Sequence, residues 1–491
     1  MQVKHAPLGW WGFLMVLGPS LVWCGEFIGS GEVIIATRTG AILGPAVMWA
    51  IVFGIFLKYW IGMCGARYTV ATGEGMIDLF SRVPGPRNWL VWTVFIGQIA
   101  SGICAVGALA VAAATFLGSL LPLGEHSGII WGAAVTAFSV WVAWTDRFDM
   151  LKHLMGVMVA VIIVGVLYVS LHALPEVRDV IIGIFGFQVP EVPTWARAAD
   201  SSIGTAWTEI LPLVGWSAGG FASQVWYTYW VMGAGYGMTQ GRRWGMRADE
   251  ESLARLTAED AKNVKSWTRV VTWDATTALV IGVVVTLAFF LSGVGILRPL
   301  ELVPKGEKVA LELSRIFSDR WSSVGGILFL AAGASAMVST QLGQLAGWPR
   351  LLADCFRNIY PKATGFQPRK MFRIFLGIFL LTNLTICVIF GTNPIFLIKL
   401  GAVCDGLVLV PLQALAVAYG LFFAQRKLLS AEAWQILRPR WYHAAGLILG
   451  FLVFGYFCIF QVPQVLHQMF GKYWQIAVNC LMQMLHQMFG G

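Results

Sequence analysis

Cys24-Gly25-Glu26-Phe27-Ile28-Gly29-Ser30-Gly31-Glu32 interrupts the first long apolar stretch of the chain. Gly215-Trp216-Ser217-Ala218-Gly219-Gly220-Phe221-Ala222-Ser223-Gln224 interrupts the sixth in the same way. Each Gly lowers helix stability by about 1 kcal/mol relative to Ala. Clustered Gly and Ser therefore let a helix unwind and leave carbonyls and amides without intrahelical partners. In lipid, such groups are tolerated only where they line a protein-buried or watery cavity. Two interrupted helices in matching positions point to a transporter of inverted repeats with a site near the membrane midplane. Close helix packing would explain a single Gly pair. Two clusters in register, each with polar neighbours, favour a site.

The rest of the chain supplies the membrane context. Its 491 residues carry a net charge of +9, yet only 12% are charged and 57% are apolar. Soluble domains run near one-quarter charged, so too few charges are present to cover a water-facing surface. This excludes a soluble enzyme, a disordered chain and a nucleic-acid module. The basic balance suits loops facing an anionic leaflet, and the 23 Trp suit the headgroup boundary. Eight scattered Cys form no CxxC and no Cys/His cluster. They read as buried thiols, not as a disulfide framework or a zinc site.

Crossing a bilayer takes about 20 apolar residues as helix. Eleven stretches qualify, roughly 10–36, 43–66, 89–121, 128–145, 153–174, 206–232, 269–296, 322–347, 371–391, 394–424 and 442–463. The runs are continuous and do not alternate, which predicts an all-α integral membrane protein and not a barrel. The first and sixth spans open two five-helix halves, 10–174 and 206–424. An outer loop, 175–205, joins them. A short N-terminus, 1–9, precedes them, and an inner loop with an eleventh helix, 425–463, follows. The first apolar run lacks a small-residue cleavage site and reads as a span, not a removable signal. With the N-terminus inside, inner segments hold 22 Lys and Arg against nine outside. The N-terminus is thus predicted cytoplasmic and the C-terminus outside, in the cell (plasma or inner) membrane. In the tail, 464–491, Leu466-His467-Gln468-Met469-Phe470-Gly471 recurs as Leu485–Gly490, and Gln475, Asn479, Gln483 and Gln487 form a polar stripe. An interfacial helix is expected there.

Charges within the spans sharpen the site. Glu26 and Glu32 flank the first break, and Asp405 lies in the tenth span, six residues before Pro411. A carboxylate at that depth is expensive unless it pairs, binds an ion or takes a proton. Pairing of Glu32 with Arg38, six residues on, is disfavoured by helical spacing. Glu209 and Asp274 lie near span ends, where capping and solvent contact are the expectation. The eighth span carries Ser335, Ser339, Thr340, Gln341 and Gln344, and the third carries Gln98; interhelical hydrogen bonding explains these as well as a pathway does.

Gly18-Pro19, the broken stretch, Ala36-Thr37 and Gly40, followed by Ala66-Arg67, Thr72-Gly73-Glu74 and Leu79, resemble the Nramp (natural resistance-associated macrophage protein) family of divalent metal transporters. The eighth-span stretch from Ala332-Gly333 to Gly343-Gln344 also fits, and the likeness covers roughly residues 10–425. The resemblance implies a LeuT-like fold, with two inverted five-helix repeats plus an eleventh helix. It also implies proton-coupled metal uptake with ligands at the breaks of the first and sixth helices.

This chain departs from the family at those ligands. The family's Asp-Pro-Gly-Asn falls on Gly29-Ser30-Gly31-Glu32, and its Met-Pro-His on Ala222-Ser223-Gln224. The thioether and the imidazole are missing. Oxygen ligands favour Mg²⁺, Ca²⁺ or Mn²⁺, so a hard-ligand site is expected. Its candidate residues are Gly29, Ser30, Gly31, Glu32, Gly219, Gly220, Ala222, Ser223 and Gln224, with Glu32 supplying the main charge. Glu26 and Asp405 are proton-pathway candidates, and Gln98, Tyr227, Ser339 and Gln341 are secondary ones.

A transporter of a small organic solute is the alternative, because half-helix ends also bind carboxylates or amines. Trp216, Trp226, Tyr227, Tyr229 and Trp230 would then line an aromatic pocket. A channel stays open as a reading; saturable uptake against a gradient separates it from a transporter. No HExxH, GxSxG or nucleotide loop is present, so no enzyme activity, catalytic residue or cofactor is expected. The expected partners are a divalent metal ion, protons as a coupling ion, and the lipid bilayer, with no nucleic acid; a monomer is expected. The segment Gly233 to Trp267 is read as a solvated linker.

Overall fold

A computed structural model describes residues 3–7, 9, 12, 17–145, 147–170, 175–304, 323–360, 367–389 and 394–471. The tail stripe at 475–487 lies outside the described residues. Among those described, nine helices are long and apolar enough to cross a membrane. The first and sixth predicted spans are not among the nine, because each is split. Nine continuous spans and two broken ones make the expected eleven.

The first span comprises α1 (Pro19–Phe27), a π-helical turn at Gly31–Ala36 and α2 (Thr37–Leu43). Then follow α3 (Met48–Thr72), a short α4 (Met76–Ser81), α5 (Trp89–Leu120), α6 (Ser127–Trp144) and α7 (Phe148–Ser170). Two short helices, α8 (Val177–Phe185) and α9 (Thr194–Ala199), bridge the halves. The sixth span is α10 (Trp207–Trp216) and α11 (Phe221–Ala234). The second half continues with α12 (Ala258–Ser292), α13 (Ser323–Ile359) and α14 (Pro368–Ile389). It closes with α15 (Pro394–Val403), a π turn at Cys404–Val408 and α16 (Val410–Tyr419). The eleventh span begins with α17 (Trp441–Tyr456) and ends with α18 (Val462–Phe470).

The packing is pseudo-symmetric. Replacing each helix of the first half by its counterpart in the second maps contacting pairs onto contacting pairs. Thus α7 on α13 corresponds to α15 on α5, α5 on α6 to α13 on α14, and α1 on α7 to α10 on α15. An odd number of crossings per half makes the two halves antiparallel. The pairs α3 on α12 and α5 on α13 map onto themselves and form the inner walls. The outer faces expose Trp141, Val157, Leu381 and Leu452, as a lipid-facing surface requires. The broken helices α1, α2, α10 and α11 are enclosed by the others and almost wholly buried.

Each break has a local cause. Helix α1 ends where Ile28 leaves helical geometry at φ −75°, ψ 85°. After α10, Ala218 and Gly219 both take positive φ, 60° and 71°. Two successive left-handed residues cannot continue a right-handed helix.

Candidate functional site

Gly29, Ser30 and Gly31 from the first break and Gly219 and Gly220 from the second line one small cavity, together with Glu26, Phe27, Trp216, Trp226, Thr340, Gln344, Trp348 and Asp405. The breaks therefore face each other. The cavity measures about 20 Å³, room for one water or one bare ion. Its glycines are there for space. A Cβ on Gly220 would overlap Asp405 Oδ2, one on Gly29 would overlap Thr340 Oγ1, and one on Gly31 would lie 2.7 Å from Trp216 Cβ.

Each carboxylate of the cavity takes a hydrogen bond from the opposite half. Ser223 Oγ donates to Glu26 Oε2 at 2.5 Å and accepts from Trp23 Nε1 at 3.0 Å. Asp405 Oδ1 accepts from Gln98 Nε2 at 3.0 Å and from the Ala222 amide at 3.2 Å, and Trp348 Nε1 fixes Gln98 from behind at 2.9 Å. Asp405 stands on a π turn, a deformation frequent at functional sites.

Glu32 is buried but does not line the cavity. Its Oε2 accepts from the Gly29 amide at 3.0 Å, capping the break, while Oε1 has no partner. Gln224 reaches back to the Ala218 carbonyl at 3.0 Å and leaves its own Oε1 unpartnered. Ala222 and Ser223 contribute through Asp405 and Glu26 and not through the cavity wall. Of the secondary candidates, Gln98 orients Asp405. Tyr227 donates to Asp274 at 2.9 Å and stacks on Trp23 at 4.2 Å. Ser339 is spent on its own helix, and Gln341 has no partner on either side-chain atom. Arg38 pairs with Glu209 and Asp200, not with Glu32. Glu209, expected at a solvated span end, is fully buried between Arg38 and Lys399.

The carbonyls freed by the second break are already taken. Lys58, fully buried on α3, donates its ammonium to the carbonyls of Val214 at 2.9 Å, Gly215 at 2.5 Å, Ser217 at 3.2 Å and Gly219 at 2.6 Å. At the first break, Thr340 Oγ1 donates to the Ile28 carbonyl at 3.1 Å. Buried carbonyls demand partners, and a tethered ammonium is an effective one. Sequence reading passed over Lys58, although a lone ionisable residue in the apolar run Phe56-Leu57-Lys58-Tyr59-Trp60 was itself the signal.

Both ends of the path are closed by buried ionic networks. At the start of α2, Arg38 binds Asp200 at 2.8 Å, Glu209 at 3.2 Å and the Pro304 carbonyl, and Lys399 binds Glu209 at 2.6 Å. On the side of the amino-terminal segment, Glu74 receives Tyr68, Arg82 and the Ala248 amide. Asp78 and Asp354 there share Arg357 at 2.5 Å each, and Tyr229 donates to Asp354. Arg247 and Ala248 belong to the segment expected to be a plain linker; it instead helps close this end. The cavity is occluded from both sides.

A family model, natural resistance-associated macrophage protein-like, matches residues 21–453. The chain belongs to the Nramp family. Nramp members are transporters and not enzymes, and this chain is a multi-pass membrane transporter. A variant of the Eremococcus coleocola manganese transporter superposes with a TM-score of 0.72 at 14% identity, covering 100% of this chain and 96% of that one. MhsT in complex with L-phenylalanine gives 0.53 at 13% identity, covering 92% and 98%. A nucleobase-cation-symport-1 family transporter, closed around bromovinylhydantoin, gives 0.53 at 14% identity, covering 92% and 93%. These likenesses establish the LeuT-like fold of two inverted repeats plus one helix. An uncharacterised protein of Pasteurella multocida is 26% identical over 128 residues, which span 26% of this chain and 30% of that protein. Among the described residues, no three His, Cys, Asp or Glu converge as a ready-made metal cluster. This Nramp chain thus offers a two-carboxylate pocket at the place where its breaks meet.

Proposed function

We propose that this Nramp protein is a secondary active transporter of a divalent metal cation, working by alternating access through the cavity between its two broken helices. One observation carries the reading: the cavity admits a single ion, and its charged lining is Glu26 and Asp405. Such a volume excludes an organic solute in this conformation. When ionised, Glu26, Glu32 and Asp405 outweigh Lys58 by two negative charges, which one divalent cation neutralises. Carboxylate and carbonyl oxygens select hard cations. The cavity leaves no room for a full hydration shell, and Mg²⁺ dehydrates reluctantly, so Mn²⁺ is the favoured cargo. The manganese transported by the structural relative points the same way. Glu26 and Asp405 are then the ligands, and Glu32 braces the first break beside them. Protons are the coupling ion in this reading. The two closed ends support alternation, since each opens by breaking a separate ionic network.

The test is uptake into proteoliposomes containing the full chain, with Mn²⁺, Mg²⁺ and Ca²⁺ presented singly and an imposed pH gradient. Saturable Mn²⁺ accumulation that a proton gradient drives uphill is expected. No accumulation of any of the three ions removes the metal assignment, and uptake indifferent to the pH gradient removes proton coupling.

A further inference from the structure

A second cavity, of about 790 Å³, opens on the side of the amino-terminal segment, between α3, the start of α12 and the start of α17. Five cations line it: Arg67, Lys265, Arg269, Arg438 and Arg440. No carboxylate does. Among the described residues none of these five forms a salt bridge. Arg67 is half-buried, so its guanidinium is drawn into the protein without a counter-ion. Trp60 lines the same cavity. Drawing a cation part-way out of water without a counter-ion is unfavourable. One anion in the cavity supplies the counter-charge that Arg67 and its four neighbouring cations lack.

The setting identifies the anion's source. Trp273 and Trp441 rim the cavity and are 64% and 79% exposed. Indoles exposed in this way belong at the headgroup level of a bilayer. The cavity is far larger than an inorganic phosphate needs, and basic pockets between transmembrane helices take lipid headgroups. Arginine engages phosphate oxygens through its planar fork. We propose that this cavity binds the phosphate headgroup of an anionic phospholipid, with half-buried Arg67 on its inner side and exposed Arg440 and Arg269 at its mouth.

The experiment is native mass spectrometry of the full chain in detergent, equilibrated with equimolar phosphatidylglycerol and phosphatidylcholine. Wild type is expected to retain phosphatidylglycerol at least tenfold over phosphatidylcholine, and Arg67→Gln/Arg440→Gln is expected to bring the ratio near one. Equal retention by wild type, or an unchanged ratio in the folded double variant, overturns the proposal. Should the double variant fail to fold, wild type decides alone: a preference that weakens as salt rises supports the site, and a salt-independent one overturns it. Glycerol phosphate at millimolar concentration separates the sources. Retention of the lipid in its presence supports a headgroup site, and full displacement assigns the cavity to soluble phosphates instead.

Discussion

Lys58 and Gly219 meet at 2.6 Å, ammonium to carbonyl, at the second helix break. Three more carbonyls of the same break converge on that ammonium. A covalently tethered cation thus fills the cradle that unwinding creates. The break is held open by the chain's own cation, and in the proposed reading cargo meets the carboxylates instead.

Replacing Lys58 by Met should strand four buried carbonyls in an apolar wall. Leaving a buried acceptor without its donor costs about 1–3 kcal/mol. A marked fall in the thermal midpoint in detergent and loss of Mn²⁺ uptake are expected. A Lys58→Met protein that melts and transports like wild type would show that the ammonium does not hold the break.

Glu26 and Asp405 line the ion-sized cavity, whereas Glu32 does not. Calorimetric titration with Mn²⁺ should therefore rank the neutralising variants. Glu26→Gln and Asp405→Asn are each expected to weaken binding at least tenfold, about 1.4 kcal/mol. Glu32→Gln is expected to weaken it less, because its carboxylate acts on the Gly29 amide. A reversed order would return the main charge to Glu32.

By its spacing in the sequence Gly29 stands where the resemblance sets the family's Asp, and Thr340 Oγ1 occupies the space that a side chain there would need. Gly29→Asp alone should lower both stability and uptake, because overpacking a close-packed interior is destabilising by about 1–3 kcal/mol. Gly29→Asp/Thr340→Ala should recover much of both. Equal damage in the single and double variants, read by melting and uptake, would mean that Thr340 is not the obstacle.

What was legible in the sequence was backbone punctuation. Gly29-Ser30-Gly31 and Gly219-Gly220 announce breaks because glycine clusters weaken helices wherever they occur. Glu26 and Asp405 announce chemistry because carboxylates are rare in lipid. Partnerships were not legible. Lys58 and the carbonyls it binds are separated by 156 residues or more, Arg38 and Glu209 by 171, and Gln98 and Asp405 by 307. Local spacing rules reach only three or four residues along a helix. They disfavour Glu32 with Arg38, which indeed pairs elsewhere, but have no means of finding Glu209. The cavity-forming role of Trp348 was hidden for the same reason: its indole acts through Gln98 of another helix.

The closed end on the amino-terminal side carries a pH dependence. Burial, with the neighbouring charge of Asp354, pushes the Asp78 carboxyl up to about 7 against the pull of Arg357. Folded protein therefore keeps a proton on Asp78 that the unfolded chain, with a carboxyl near pKa 3.9, has released. Stability from this group is fully present below about pH 4 and is lost as pH rises to about 7, at no more than about 1.4 kcal/mol per pH unit. Asp78→Asn removes the titration. Its thermal midpoint should vary less than that of wild type between pH 5 and pH 7; parallel curves would assign the dependence elsewhere.

The opposite end depends on Glu209, whose carboxylate takes both Arg38 and Lys399 within a fully buried pocket. Asp200 is the other anion of the network. Partial burial raises its pKa, but hydrogen bonds from Ser202 and the Arg38 charge outweigh this and hold it at about 2. It stays charged at any physiological pH, so Asp200 remains as one counter-charge when Glu209 is lost. Glu209→Gln leaves two buried cations sharing it, and breaking a buried pair costs about 3–5 kcal/mol. Repulsion between the cations favours separation of α2 from α10 and α15, the motion that the proposed alternation requires at this end. A cysteine placed at Ser30, below the network, should therefore react faster with a membrane-impermeant thiol reagent in Glu209→Gln than in its parent. Cys24, Cys64 and the other native thiols must be replaced in both backgrounds for the rate to be read. Equal rates in a protein that still folds would mean that the Arg38 network does not seal the path.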